Sequence, residues 1–250
     1  MTFELDIDSA ACRDAAEAMA REAVAPVAAD ADRAADVPAA LRAAIRAVVP
    51  APPAGAGSDW VVALEALAAA SPTLALVAAG EALGVTAVTT SAQWTGLRGA
   101  DVDGLRAALA ADDSWHLAVT ATLVGAGRAA VEAGVAALKA AHATGDLPPA
   151  GQPRVADAAT AIDASRLLLW DAARHTLDSE AGRVARGLAR LHALDALVGA
   201  FAAAEQACGA EAFRPGMPLE RLRRDAVTTA QVLGDEARAT DAVAAGTFPG

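Results

Sequence analysis

From Ser114 to about Ala143, the residues Leu117, Ala121, Val124, Val131, Val135 and Leu138 recur at alternating spacings of three and four. That period puts them on one face of a single long α-helix. A helix of about 30 residues runs about 45 Å, and its apolar stripe must be covered by other helices along most of that length. The sequence supplies them. "TGDLPPAGQP" breaks the first helix into an antiparallel return, and Val155, Ala158, Ala159, Ile162, Leu169 and Ala173 define the next helix. A third stripe of Leu191, Leu194, Val198 and Phe201 follows, then a helix opened by Pro218, with proline in the first turn where its missing N–H costs nothing. Four long amphipathic helices with short connections read as an antiparallel bundle.

The first third of the chain is also helical in pattern. A segment from about Asp8 to Ala28 carries Met19 and Val24 on one side, with Arg13, Glu17, Arg21 and Glu22 spread around it. A second helix is expected over about Pro38 to Val49, stopped by "PAPPAGAG", and two more over about Asp59 to Ala70 and Pro72 to Leu83. Between them and the bundle, "GVTAVTTSAQWTGLRGADVDG" is rich in Thr, Val and Gly without a 3.6 period, so it holds one or two short strands or a simple crossover. The expected organisation is a helical lobe over residues 1–83, a short crossover over 84–113 and a bundle over 114–250, in a mainly all-α fold. Of the 250 residues, 55% are hydrophobic and 3% aromatic, so the apolar content is mostly Ala, Val and Leu, which favours helix.

Charge and composition exclude several function classes. A net charge of −11 argues against a nucleic-acid partner, whose affinity rests on clustered cations that displace counterions. The longest charge-free runs, from Glu65 to Glu81 and from Glu81 to Arg98, are shorter than the roughly 18 residues of a spanning helix, so no membrane span is expected. "MTFELDIDSAA" carries acids where a signal peptide carries Lys or Arg, and the expected location is cytoplasmic. Cys12 and Cys208 stand alone as packed thiols, and His116, His142, His175 and His192 have no ligand spacing, so no metal site is expected. Arg128 falls in the first apolar stripe and needs a partner. The candidates are an ion pair with a neighbouring helix, through Asp225 or Glu205, or an anionic ligand such as a CoA phosphate. Arg221, Arg223 and Arg224 read as assembly or helix-surface contacts.

The opening "FELDIDSAACRDAAEAMAREAVAPVAADADR", with the "VAP" that ends its helix at Val24, Ala25 and Pro26, resembles the first helix of the acyl-CoA dehydrogenase family. "EQACGAEAF" followed by "PLERLRRDA" is similar to that family's Gln-x-x-Gly-Gly-x-Gly-aromatic turn and Pro-x-Glu-Arg-x-x-Arg-Asp-Ala helix start. "VADAATAIDASRLLLWDAA" is similar to its second bundle helix. The resemblance implies a helical lobe, a middle β domain and a four-helix bundle through which subunits pair. It implies FAD held between the β domain and the bundle. The implied reaction oxidises an acyl-CoA between the α and β carbons, with a Glu taking the α proton and the flavin a hydride.

The departures are as informative as the match. Residues 84–113 are too few for the family's β domain, and "WTGLRG" reads as a remnant of its end. In the glycine turn Gln206, Gly209 and Phe213 agree with the family's cofactor-binding pattern, but Ala210 and Ala212 stand where glycines would let backbone approach the flavin. The family's Arg-x-x-Phe is represented at best by Lys139 and His142. Counted without gaps from Asp225, the catalytic Glu-Gly pair falls on Leu233 and Gly234: the glycine is kept and the base is not. Asp235 and Glu236 substitute only if the loop shifts register, and from His116 to Gly127 there is no carboxylate to serve as an alternative base. Three readings follow. The chain is a catalytically silent subunit, forming a homo-oligomer or a heteromer with a full-length acyl-CoA dehydrogenase; or an active FAD-dependent dehydrogenase; or a stand-alone, non-redox helical binder of acyl thioesters.

Overall fold

The computed structural model describes residues 7–34, 38–50, 57–84, 113–145, 151–215, 217–232 and 236–247. They form ten α-helices: α1 Ile7–Met19, α2 Ala25–Ala34, α3 Ala39–Val48, α4 Ser58–Ala70, α5 Pro72–Leu83, α6 Asp113–Thr144, α7 Gly151–Arg174, α8 Glu180–Cys208, α9 Pro218–Val232 and α10 Glu236–Thr247. There is no strand among the described residues, and the fold is all-α as expected. The expected crossover lies, from residue 85 to residue 112, outside the described residues.

α6 is the axis of the molecule. α4, α5, α7, α8 and α9 all pack against it. One continuous apolar core joins Val24 and Leu41 of the first helices to Trp60, Leu64 and Leu67 on α4, Trp115 and Leu123 on α6, Leu169 on α7 and Phe201 on α8. The N-terminal half of α6 is therefore buried around nearly its whole circumference, from Ser114 to Ala130, with His116 and Arg128 partly open. The single expected stripe holds only beyond that point: Leu138 is buried while Val131 and Val135 are half-covered. Small residues make the close approach possible. A Cβ on Gly125 would stand 2.2 Å from the Glu65 carbonyl oxygen and 2.7 Å from the Ala68 Cβ, so the α4 and α6 backbones touch there.

Three details correct the sequence reading. The first helix does not end at Val24–Pro26. It passes through a π turn, Ala20–Val24, closed by the Ala25 N–H on the Ala20 carbonyl, and continues as α2. Pro26 lies in the first turn of α2, where no N–H donor is needed, so the proline is absorbed and does not break the chain. On α8 the buried face runs through Ala193, Ala196, Leu197, Ala200, Phe201 and Ala204, whereas Val198 is 71% exposed. Alanine is small enough to serve as core between closely packed helices, and a stripe drawn through the largest side chains was rotated away from the true one. The break after α6 is also shorter than expected, because Gly151, Gln152 and Pro153 already belong to α7.

α6 and α8 are both long and apolar enough to cross a membrane by length and composition. More than half of each apolar window is buried inside the helical packing, which is the pattern of core helices.

Candidate functional site

The glycine turn is formed by the end of α8 and a 3₁₀ helix, Gly209–Phe213. Gly209 has φ 63° and ψ −142°, and its N–H bonds to the Glu205 carbonyl. Only glycine occupies that backbone region without strain, whereas a Cβ there would meet nothing within 4 Å. Gly209 is thus explained by the chain's turn and not by close approach of another group within the fold. Gln206 is exposed, and its Oε1 accepts from Arg154 Nη1 of α7 at 2.8 Å. Phe213 is 56% exposed. Ala210 faces solvent, but the Ala212 methyl is buried in the core, so that substitution fills protein interior and does not protrude from the turn.

α9 is fixed by its arginines. Arg221 is buried and donates through Nη2 to the Ala70 carbonyl at 3.0 Å, tying α9 to the C-terminal end of α4, where a cation is favoured. Arg223 pairs with Glu205 of α8 at 2.9 Å, and Arg224 pairs with Glu220 one turn back. Arg223 and Arg224 are helix-surface contacts as expected, while Arg221 is an interior tie. The positions of greatest chemical interest, Leu233, Gly234 and Asp235, lie outside the described residues, and Glu236 is described only as the start of α10.

The chief charged centre of the interior is one that the sequence reading missed. Glu65, 1% exposed in the middle of α4, forms an ion pair with Arg166, whose Nε lies 2.7 Å away, and accepts hydrogen bonds from Arg128 Nη1 at 3.4 Å and Trp170 Nε1 at 3.1 Å. Arg128 Nη1 also reaches Glu17 of α1 at 3.0 Å, and the Arg166 guanidinium stacks on the Trp170 ring at 4.7 Å. Burial pushes the Glu65 carboxyl up, against the two guanidiniums and the indole N–H, which pull it down. Arg128 thus has the expected ion pair, but with Glu17 and Glu65. Neither Asp225 nor Glu205 is its partner, and Glu205 is engaged by Arg223. With Glu132 of its own helix also 3.8 Å from its Nε, the Arg128 guanidinium faces three carboxylates and is already compensated without an anionic ligand. The signal for Glu65 was present in "WVVALEALAAA": a lone acid inside an otherwise apolar helix must be paired if that helix is interior.

Cys12 and Cys208 are both free and half-buried, and burial raises both thiols, with Asp59 adding to the effect at Cys12. No group of His, Cys, Asp and Glu suited to a metal ion occurs among the described residues. His192 Nδ1 lies 2.8 Å from Ser165 Oγ, whose hydroxyl bonds to the Ala161 carbonyl at 3.0 Å.

Residues 102–248 match the family profile described as "Acyl-CoA dehydrogenase, C-terminal domain". No curated protein is similar enough in sequence to count as a match. Among solved structures, the electron transferring flavoprotein of Acidaminococcus fermentans is similar in fold, with a TM-score of 0.77 and 15% identity over 100% of both chains. Butyryl-CoA dehydrogenase from Megasphaera elsdenii has a TM-score of 0.72 and 14% identity, over 99% of this chain and 100% of that one. A glutaryl-coenzyme A dehydrogenase in complex with glutaryl-CoA gives the same TM-score and identity, over 99% and 96%. The profile takes in more than half of the sequence, from α6 to α10, and on that ground the chain belongs to the acyl-CoA dehydrogenase family.

Proposed function

We propose that this protein is a catalytically silent acyl-CoA dehydrogenase subunit that pairs with a full-length, flavin-dependent dehydrogenase acting on acyl thioesters. The observation that carries the reading is a residue: Leu233 stands at the position of the family's general base, and an alkyl side chain cannot take a proton from carbon.

Two features of the structure support it. The turn that would hold FAD by family resemblance presents Gln206, Gly209 and Phe213 on an exposed surface, with Gln206 already engaged by Arg154. The bundle meanwhile leaves large apolar side chains uncovered: Leu188 and Val198 on α8 and Val227 on α9 are 42%, 71% and 48% exposed. We place the preferred subunit contact on α8 and on the two helices from Pro218 to Ala245, and the protein in the cytoplasm.

The test is spectroscopic. Purified alone, the protein is expected to be colourless and to oxidise no acyl-CoA with an electron-accepting dye. Co-expressed with a full-length acyl-CoA dehydrogenase, it is expected to copurify with it. A near-stoichiometric flavin band, or turnover by the isolated chain, would establish the active-enzyme reading instead.

A further inference from the structure

A small cleft of about 100 Å³ opens where the start of α6, the first half of α8 and α10 meet. Its lining is rich in arginine in a chain that is acidic overall: Arg183, Arg186 and Arg190 from α8, with the His116 imidazole from α6 and Asp113 as its one carboxylate. The arginines are spaced i, i+3 and i+7, so α8 carries them along one face. Like charges three and four apart on a helix repel, and two of these are well removed from water, with Arg186 5% and Arg190 6% exposed. α10 contributes small apolar walls, Ala239 and Ala242.

Asp113 does not neutralise this arrangement. It pairs with Arg186 Nη2, which also donates to the Leu177 carbonyl at 2.6 Å, while Arg186 Nη1 is buried without a hydrogen-bond partner. Arg190 and His116 make further interactions of their own. Arg183 stands exposed at the rim with no ion pair among the described residues. We propose that this cleft binds a small oxyanion, a carboxylate or phosphate group, gripped by Arg183 and facing the Arg186–Asp113 pair.

The chemistry follows from the donors. A planar guanidinium presents paired N–H groups that match the two oxygens of a carboxylate or phosphate, and its charge cannot be titrated away. The volume is several times the roughly 10–15 Å³ that one water requires, and it suits an anionic group of a few heavy atoms, not a whole nucleotide. Partial burial strengthens the attraction relative to open water. The site is built from the residues of one chain and requires no flavin, so anion binding is read on this protein alone, apart from any test of dehydrogenase activity or pairing.

The experiment titrates the full chain with inorganic phosphate and, in parallel, with acetate at constant ionic strength, following thermal unfolding and heat of binding, with chloride as control. At least one oxyanion is expected to raise the unfolding temperature in a saturable way that chloride does not reproduce. Which of the two binds more tightly identifies the group. Arg183→Gln should unfold at the wild-type temperature without anion and bind about tenfold more weakly, the worth of one charge-assisted contact. Arg183→Lys, which keeps the charge without the fork, should fall between. An equal effect of chloride, no saturable shift, or an unchanged affinity in Arg183→Gln overturns the proposal.

Discussion

Glu65 shows how one residue sets the internal electrostatics of the fold. It links α4 to α7 through Arg166 and Trp170 and to α6 through Arg128, and Arg128 extends the link to Glu17 of α1. Removing one member of a buried ion pair leaves its partners uncompensated, so Glu65→Leu is expected to destabilise the protein by about 3–5 kcal/mol in urea unfolding at neutral pH. The pH dependence has a definite sign. Burial raises the carboxyl above its ordinary value of 4.5, so over the interval between the two pKa values the folded protein holds this proton more tightly than the unfolded chain. There the residue's contribution falls as pH rises and is recovered on acidification toward 4.5. The stability gap between wild type and Glu65→Leu should therefore widen as pH is lowered through that interval. A gap that narrows would show the two guanidiniums outweighing burial.

Among the elements, α4 and α6 come into backbone contact at Gly125. Gly125 lets the α6 backbone lie against the Glu65 carbonyl, and a methyl group would meet backbone atoms, which cannot rotate aside. Gly125→Ala is expected to cost about 1–3 kcal/mol by forcing the helices apart, despite alanine's better helix propensity. Gly199→Ala is the matched control, because its Cβ would meet nothing within 4 Å. That variant should be neutral or slightly stabilising, and equal losses at both sites would refute the packing account. The π turn before Pro26 shows the same economy of sequence: a short register change lets one helical path continue where a proline would otherwise have ended it.

For the whole molecule, the prediction concerns assembly. Burying apolar area is worth roughly 25 cal/mol per Å², and α8 and α9 leave Leu188, Val198 and Val227 in water. The isolated protein is expected to be a dimer by light scattering at micromolar concentration. Val198→Glu, at an exposed position outside the core, should yield a monomer of unchanged unfolding temperature at low concentration. A wild-type monomer that also ignores a full-length dehydrogenase would favour the stand-alone binder of acyl thioesters.

The helical class, the order of the long helices and the family were legible in the sequence, because they rest on local quantities. These are the 3.6-residue period, the Pro and Gly that punctuate it, and the short motifs "EQACGAEAF" and "PLERLRRDA". The placing of Leu233 at the family's base position rests on the same kind of local count, from Asp225, and residues 233–235 lie outside the described structure. What only the tertiary structure decided is how those helices are rotated and which side chains meet. A stripe through Leu191, Leu194, Val198 and Phe201 misplaced Val198, because the core face of α8 is largely alanine and burial there follows helix proximity more than side-chain size. Arg128 announced its need for a counter-charge, but Glu17 and Glu65 lie 111 and 63 residues away in sequence. The cleft arginines share one face of α8 by their spacing, but only the fold decides that α6, with Asp113 and His116, and α10, with Ala239 and Ala242, wall that face. Ion pairing acts through space over a few ångströms, and the chain alone does not state which distant residues the core brings within that reach.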